Sequence, residues 1–283
     1  MEKASALQSA MEYLMTYGWA ILIIAVVLGA LFQLGIFNAS TFTPKAPPGA
    51  CHVFRPNGPA TTSFINLQGI CNGELPQYVS QFNGASSISV TLTQALNIAS
   101  SITISLWVYL PSLPTGYADF LEAGATCNNY FVYYVPTTKS IAFGKQCSWA
   151  ASSPTTPSTG QWYNFIGTYD GSTFRAYLNA VQGTGTAASA TFTNANPLTI
   201  GTGSDAHIKG NLANVQIYNT SLSSNEVSAL YNEGIGGAPI KLNSLVGWYP
   251  LNGDAKDYSG NNNNGVPSGV TFTSNWESGY SAP

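Results

Sequence analysis

The chain has 283 residues, of which only 7% are charged and 12% are aromatic, with a formal net charge of -3. An ordinary soluble domain carries roughly 25% charged residues, so this composition is not typical, while the aromatic content excludes simple disorder. With no basic stripe to grip phosphates, nucleic acid is excluded as a partner.

Residues 1–7 form a short leader with one acid, Glu2, and one base, Lys3. Between Glu12 and Lys45 no side chain is charged. A helix over residues 8–37 would run about 45 Å, well beyond the roughly 30 Å of bilayer hydrocarbon. The apolar run is too long for the h-region of a secretory signal, about 7 to 15 residues, and no small-residue cleavage site follows it, so it is expected to stay with the mature protein. The block Ser9-Ala10-Met11-Glu12-Tyr13-Leu14-Met15-Thr16-Tyr17-Gly18-Trp19-Ala20 resembles the N-terminus of archaeal type IV pilin-like proteins. In that family the leader is cut before a Gln, and a glutamate lies four residues further on. Gln8 and Glu12 keep this spacing, whereas Leu7 stands where the family usually has a small residue such as Gly, and the leader has a single Lys. The resemblance implies cleavage between Leu7 and Gln8, insertion in a membrane or packing with like subunits in a filament, and an assembly role for Glu12. Its carboxylate would pair with the new amine of Gln8, since either charge buried alone is costly. The plainer alternative is a membrane anchor with Glu12 at the headgroups.

Residues 38–50 contain Pro44, Pro47 and Pro48 and read as an extended linker. Cys51, Cys71, Cys127 and Cys147 include no Cys-x-x-Cys pair, so disulfides are expected rather than a zinc or redox site. Cys127 and Cys147 flank strand-like Tyr130–Val135 and Ser140–Phe143 around a turn at Pro136–Lys139, and this hairpin would bring their sulfurs together. Cys51 would then pair with Cys71. Each bridge would contribute about 3 kcal/mol and imply export; the alternative is buried free thiols. Asn38-Ala39-Ser40 and Asn219-Thr220-Ser221 fit the N-glycosylation pattern.

Strands are expected at Ser87–Leu92, Ile102–Leu110, Tyr130–Val135, Trp162–Tyr169, Thr173–Leu178, Leu198–Gly201, Asn214–Tyr218 and Leu245–Pro250. Ile102, Ile104, Leu106 and Val108 alternate with other residues, as in a sheet with one face on a core. Asp170-Gly171 is expected to form a tight hairpin with positive φ at both residues. One short helix is expected at Ser224–Tyr231, where Ser223 and Glu226 make a capping box. The expected fold is mostly β: a long N-terminal hydrophobic helix followed by a two-sheet antiparallel sandwich over residues 51–273 and a tail, 274–283.

The order of Phe82-Asn83-Gly84, the run 102–108, the run 162–172, Ala176-Tyr177-Leu178-Asn179, the run 198–201, the run 210–219 and the run 222–231 resembles the concanavalin-like jelly roll of laminin G-like domains. That resemblance implies a binder of sugars, proteins or calcium-dependent ligands. The run 245–265 resembles the segment that normally opens such a domain, yet here it follows the helix. A circular permutation is expected, with a truncated second repeat as the rival.

No catalytic site is expected. Glu122 stands alone on an apolar stretch and reads as a paired edge-strand acid, and His52 and His207 have no triad partners nearby in sequence. No cofactor is demanded by a motif. Asp254 and Asp257, with Asn261 to Asn264, offer calcium a loop of oxygens, the alternative being a polar turn. The Ala213-Asn214 pair stands where the resembled family often has acids, which argues against calcium by analogy. Trp107, Trp162 and Trp248 are expected in the core, whereas Tyr117, Trp149 and Trp276 lie in loops or tail and are candidates for a sugar or subunit contact. The expected protein is a pilin-like structural and adhesive protein of the cell surface, its sandwich facing extracellular glycans or surface proteins. The alternative is a membrane-anchored lectin-like binder that does not polymerise.

Overall fold

In the computed structural model the described residues are 17, 19–29, 51–54, 66–69, 74–124, 127–195 and 197–283. The chain divides into two compact units, Met1–Pro44 and Lys45–Pro283. In the first, residues 19–29 are helical (α1). Among the described residues no helix is long and apolar enough to cross a membrane. Residue 17 is helical as well; the remainder of the expected helix over residues 8–37 lies outside the described residues, as do Leu7, Gln8, Glu12 and Asn38.

In the second unit β1 (Cys51–Phe54) and β2 (Asn66–Gly69) pair antiparallel, with Cys51 opposite Gly69. Cys71 lies outside the described residues. There follow β3 (Val79–Asn83), β4 (Ser87–Val90), β5 (Ile102–Tyr109), β6 (Ala118–Ala123), β7 (Tyr130–Val135), β8 (Ser140–Lys145) and β9 (Trp149–Ser152). Next come β10 (Trp162–Tyr169), β11 (Thr173–Leu178), β12 (Val181–Gln182), β13 (Thr186–Ala187), β14 (Leu198–Ile200) and β15 (Lys209–Tyr218). Helix α2 (Ser224–Asn232) precedes β16 (Leu245–Tyr249), β17 (Gly265–Ser268) and β18 (Thr271–Thr273). Sheet I has the order β12-β11-β10-β5-β15-β3-β18, with β13 on β11 and β16 on β15, and sheet II the order β17-β4-β14-β6-β7-β8-β9. The segment from β16 to β18 therefore enters both sheets.

The alternation of β5 places Ile104, Leu106 and Val108 between the sheets, in one cluster with Phe82 and Phe165 of sheet I and Val132, Phe143 and Ile200 of sheet II. Its other face is buried too. Thr103, Ser105 and Trp107 are covered, because α2, the loop after it and the C-terminal residues lie over sheet I. Val227 and Leu230 of α2 pack with Tyr218, Leu245 and Trp248. Ile235 and Trp276 pack with Trp107 and Trp162. Residues 274–283, expected as a tail, are thus part of the domain.

Local signals explain the helix. Ser223 Oγ accepts from the Glu226 amide, and Glu226 Oε2 accepts from the Ser223 amide at 2.8 Å, closing the expected capping box. The Asp170-Gly171 turn differs from expectation. Only Gly171 takes a positive φ, of 95°. Asp170 instead accepts the Ser172 and Thr173 amides on Oδ1 at 2.9 and 2.8 Å, a side-chain turn that widens the loop.

Asn214 has φ 49° and sits in a bulge of β15 between Ala213 and Gln216, a backbone shape that Asn tolerates better than most residues. Its Oδ1 accepts from Trp248 Nε1 at 2.9 Å and from Gln216 Nε2 at 3.0 Å, while its Nδ2 donates to the Gly237 carbonyl at 2.9 Å. Where the resembled family often has acids, this chain has a buried hydrogen-bond hub that ties β15 to β16 and the loop after α2.

Candidate functional site

Strand pairing builds a recess on the outer face of sheet I. Thr271 is opposite Gln81, Gln81 is opposite Asn211, and Asn211 is opposite Tyr109. Four neighbouring strands therefore place these side chains in one row across the sheet. In the next outward row Lys209 is opposite Asn83. The C-terminal residues Asn275, Trp276 and Ser278 supply a wall, and the whole encloses a cavity of about 470 Å³. That size falls within the range of small-molecule sites, about 300–1,000 Å³.

Trp276 is only 3% exposed. Its Nε1 donates to the Pro76 carbonyl at 3.0 Å, its own carbonyl accepts from Trp162 Nε1 at 2.9 Å, and its ring stands edge-on to Trp162 with centroids 6.2 Å apart. Trp276, a candidate contact residue from the sequence, is thus a fixed wall of the recess, held within the domain rather than in a separate tail.

Sheet II carries a different constellation on its outer face. Asp119 and Glu122 are three apart in β6 and would face opposite sides of a regular strand. A register shift between Asp119 and Leu121 brings both to one side, Asp119 opposite Tyr133 and Glu122 opposite Phe131. Glu122 is therefore no edge-strand acid, since β6 lies between β14 and β7. Both acids are fully buried.

A loop closes over them. Asp119 Oδ2 accepts from the Asp205 amide at 2.8 Å, and Glu122 Oε1 accepts from Asn129 Nδ2 at 3.0 Å. Glu122 Oε2 accepts from the Ser204 amide. Gly203 has no room for a Cβ against the same two carboxylates. Burial, opposed in part by the Asp205 amide and reinforced by the charges of Glu122 and Asp205, pushes the Asp119 carboxyl up to about 7. Beside it Phe131 and Tyr133 stack with ring centroids 4.2 Å apart, and Tyr117 stacks on Tyr133 at 6.0 Å. Burial first, then the charges of Tyr117, Asp205 and Asp119, push the Tyr133 phenol up to about 12. Glycoside hydrolysis would need two carboxylates flanking an open cleft; this pair is an anchor for the loop above it.

Tyr117 and Trp149 are exposed, at 45% and 43%, but the structure does not bring them together. Tyr117 precedes Ala118, opposite Tyr134, whereas Trp149 is opposite Lys145, itself opposite Tyr130. They stand at opposite ends of sheet II. Lys145 Nζ lies 5.9 Å from the Trp149 ring centre. Cys127 and Cys147 form the expected disulfide, with Cα atoms 5.3 Å apart. Asn219 is exposed. His207 Nδ1 lies 3.1 Å from the Ser86 carbonyl.

The calcium loop is filled from within. Asp257 Oδ1 accepts from the Trp248 and Ser259 amides at 3.0 and 2.8 Å, and Oδ2 accepts from the Asn263 amide at 2.9 Å. Asp254 accepts from the Lys256 amide at 3.1 Å and the Tyr258 hydroxyl at 3.2 Å. Donors aimed at both carboxylates have the wrong polarity for a hard cation that needs 6–8 oxygens, so these residues do not fit calcium and instead fasten the loop to β16. Among the described residues no cluster of three or more His, Cys, Asp or Glu could hold a metal.

The sequence pattern of the concanavalin A-like lectin/glucanases superfamily matches residues 82–228, just over half of the chain. The chain belongs to this superfamily. No curated protein matches it. Among solved structures, a candidate carbohydrate-binding protein from Bacteroides ovatus is similar with a TM-score of 0.56 and 16% identity, over 71% of this chain and 61% of that one. The chain thus spans about three-fifths of that protein's length. A heptameric SAP-like pentraxin from Limulus polyphemus is similar with a TM-score of 0.51 and 16% identity, over 69% of this chain and 94% of that one. At such identities the likeness is one of fold. Within this concanavalin A-like domain, aromatic and amide side chains of the described residues line the recess on sheet I, while Asp119 and Glu122 of sheet II are sealed.

Proposed function

We propose that this chain is a carbohydrate-binding protein displayed on the cell surface, with the recess on sheet I as its ligand site. The observation that carries the reading is the row Thr271, Gln81, Asn211 and Tyr109, walled by Trp276. Aromatic rings offer apolar surface with a polar edge to the C–H face of a sugar, and amides can donate to and accept from its hydroxyls. The candidate carbohydrate-binding role of the Bacteroides ovatus relative points the same way. A surface protein presenting such a sugar is the corresponding partner. On a glycan array the full-length chain is expected to retain at least one oligosaccharide. Tyr109→Ala and Asn211→Ala, with unchanged circular dichroism, should each weaken that binding by about 10-fold or more. Retention of no glycan, or undiminished retention by both variants, would overturn the site.

We infer further that residues 1–50 serve as leader, assembly helix and linker of a pilin-like subunit. Support comes from the Gln8-to-Glu12 spacing, the block through Ala20 and the uncharged run to Lys45. Filaments containing the chain are expected, and Glu12→Ala should abolish them while the protein still fractionates with membranes; normal filaments from that variant would remove the role given to Glu12. Mature protein should begin at Gln8 on N-terminal sequencing. Wild-type cells without filaments would leave the alternative, a non-polymerising membrane-anchored lectin-like protein. We read residues 245–265 as a permuted opening strand rather than a truncated repeat, a reading supported by the pairing of β16 with β15, of β17 with β4 and of β18 with β3 inside the same two sheets. A Cys51–Cys71 bridge and glycans on Asn38 and Asn219 belong to the same exported protein.

A further inference from the structure

We propose that the recess on sheet I selects a sugar bearing a carboxylate, such as a uronic acid residue, through the ammonium group of Lys209. This inference rests on the binding reading above and narrows its ligand class. Among the described residues Lys209 is the one charged side chain that lines the recess, and no carboxylate among them lines it. In a chain with twelve acids against nine lysines and arginines, such a recess departs from the overall charge balance. Glu277, between two lining residues of the wall, is not itself part of the lining.

Lys209 is also unneutralised. The ion pairs among the described residues join Arg175 to Asp170, Lys241 to Glu226 and Lys256 to Asp254. Lys209 enters none of them, and it is exposed. Its charge does not serve the fold, so it is available to a ligand.

Position supports the same conclusion. Lys209 and Asn211 are two residues apart on β15 and share its outward face, a step of roughly 7 Å along the strand. That is the scale of one pyranose ring with its exocyclic group. A ring resting against Tyr109 and Trp276, with hydroxyls on Asn211 and Gln81, would carry its exocyclic carboxylate toward Lys209. There an ion pair between ammonium and carboxylate replaces the weaker hydrogen bond that an uncharged hydroxymethyl group would accept from the same ammonium. Lysine suits this task as a compact, mobile point charge on a flexible stem.

The test uses the full-length chain in detergent with trimers of galacturonic, glucuronic and mannuronic acid, each beside its methyl ester, which keeps the ring and removes the charge. At least one acid trimer is expected to bind about 10-fold or more tightly than its ester, with an affinity that falls as salt rises. Lys209→Gln should abolish the difference and Lys209→Arg should keep most of it. Equal affinity for acid and ester, or a preference that survives Lys209→Gln, overturns the inference and leaves the recess as a neutral-sugar site. Binding to no member of any pair overturns the inference, and array retention then decides separately whether the recess binds sugars at all.

Discussion

Trp276→Ala is expected to lower the thermal midpoint of the domain by roughly 10 °C and to abolish glycan retention together with it. The side chain is almost wholly buried against Trp162 and Tyr280, with ring centroids 6.2 and 5.6 Å away, and removing a buried Trp costs about 3–5 kcal/mol. In a domain of this size each kcal/mol moves the midpoint by about 2–4 °C. The loss extends past one ring, because the Trp276 carbonyl holds Trp162 Nε1 and the Gly279 carbonyl holds the Trp162 amide, both at 2.9 Å. Trp276→Phe separates the two roles: it keeps most of the packing and removes only the Nε1 hydrogen bond to Pro76, so it should fall by far less. A shift below about 3 °C in Trp276→Ala would mean that residues 274–283 are a peripheral strap, not part of the core.

The second large effect is a pH dependence. The Asp119 carboxyl is raised from 3.8 to about 7, chiefly by burial. Between those values the folded protein binds a proton that the unfolded chain releases, so the stability Asp119 contributes is fully present below about pH 4 and is lost as pH rises through 7. At pH 8 the buried ionised group costs on the order of 2–4 kcal/mol. Glu122 and Asp205, the neighbouring acids, add to the cost, while the Asp205 amide offsets part of it. Asp119 Oδ1 has no hydrogen-bond partner among the described residues, so one oxygen of the carboxylate goes uncompensated. Asp119→Asn is therefore expected to raise the midpoint at pH 8 by several degrees and to leave it unchanged or slightly lower at pH 4. Equal shifts at the two pH values would sink this account. Calorimetry of the wild type at pH 8 with and without millimolar calcium completes the test: a rise that Asp119→Asn lacks would show that a cation, not a proton, neutralises the group.

The two constellations differ in how far they could be read beforehand. Glu122 was visible as an acid in an apolar strand, but its partner was not. Three residues apart in a regular strand means opposite faces, and only the bulge in β6 turns Asp119 to the same side. Nothing local announces a bulge at Phe120. The burial of Trp276 is hidden from the sequence for a related reason. It stands in a short stretch without periodicity, and its indole nitrogen bonds Pro76, 200 residues away in sequence. The recess itself joins residues of β3, β5, β15, β18 and the C-terminus, and Lys209 and Asn211 lie in the part of β15 that precedes the expected strand start at Asn214.

What the sequence determined by itself was whatever local physics decides. Alternation in β5, the Ser223–Glu226 cap of α2 and the Cys127–Cys147 hairpin all follow from neighbours within about twenty residues, as does the uncharged run after Glu12. Tertiary structure alone decided which faces are covered, which acids are sealed and which polar side chains share one open row. Those outcomes depend on strand register between segments far apart in the chain. A shift of one residue in that register would turn Gln81, Asn211 and Tyr109 to the inside and dismantle the site without altering any local signal.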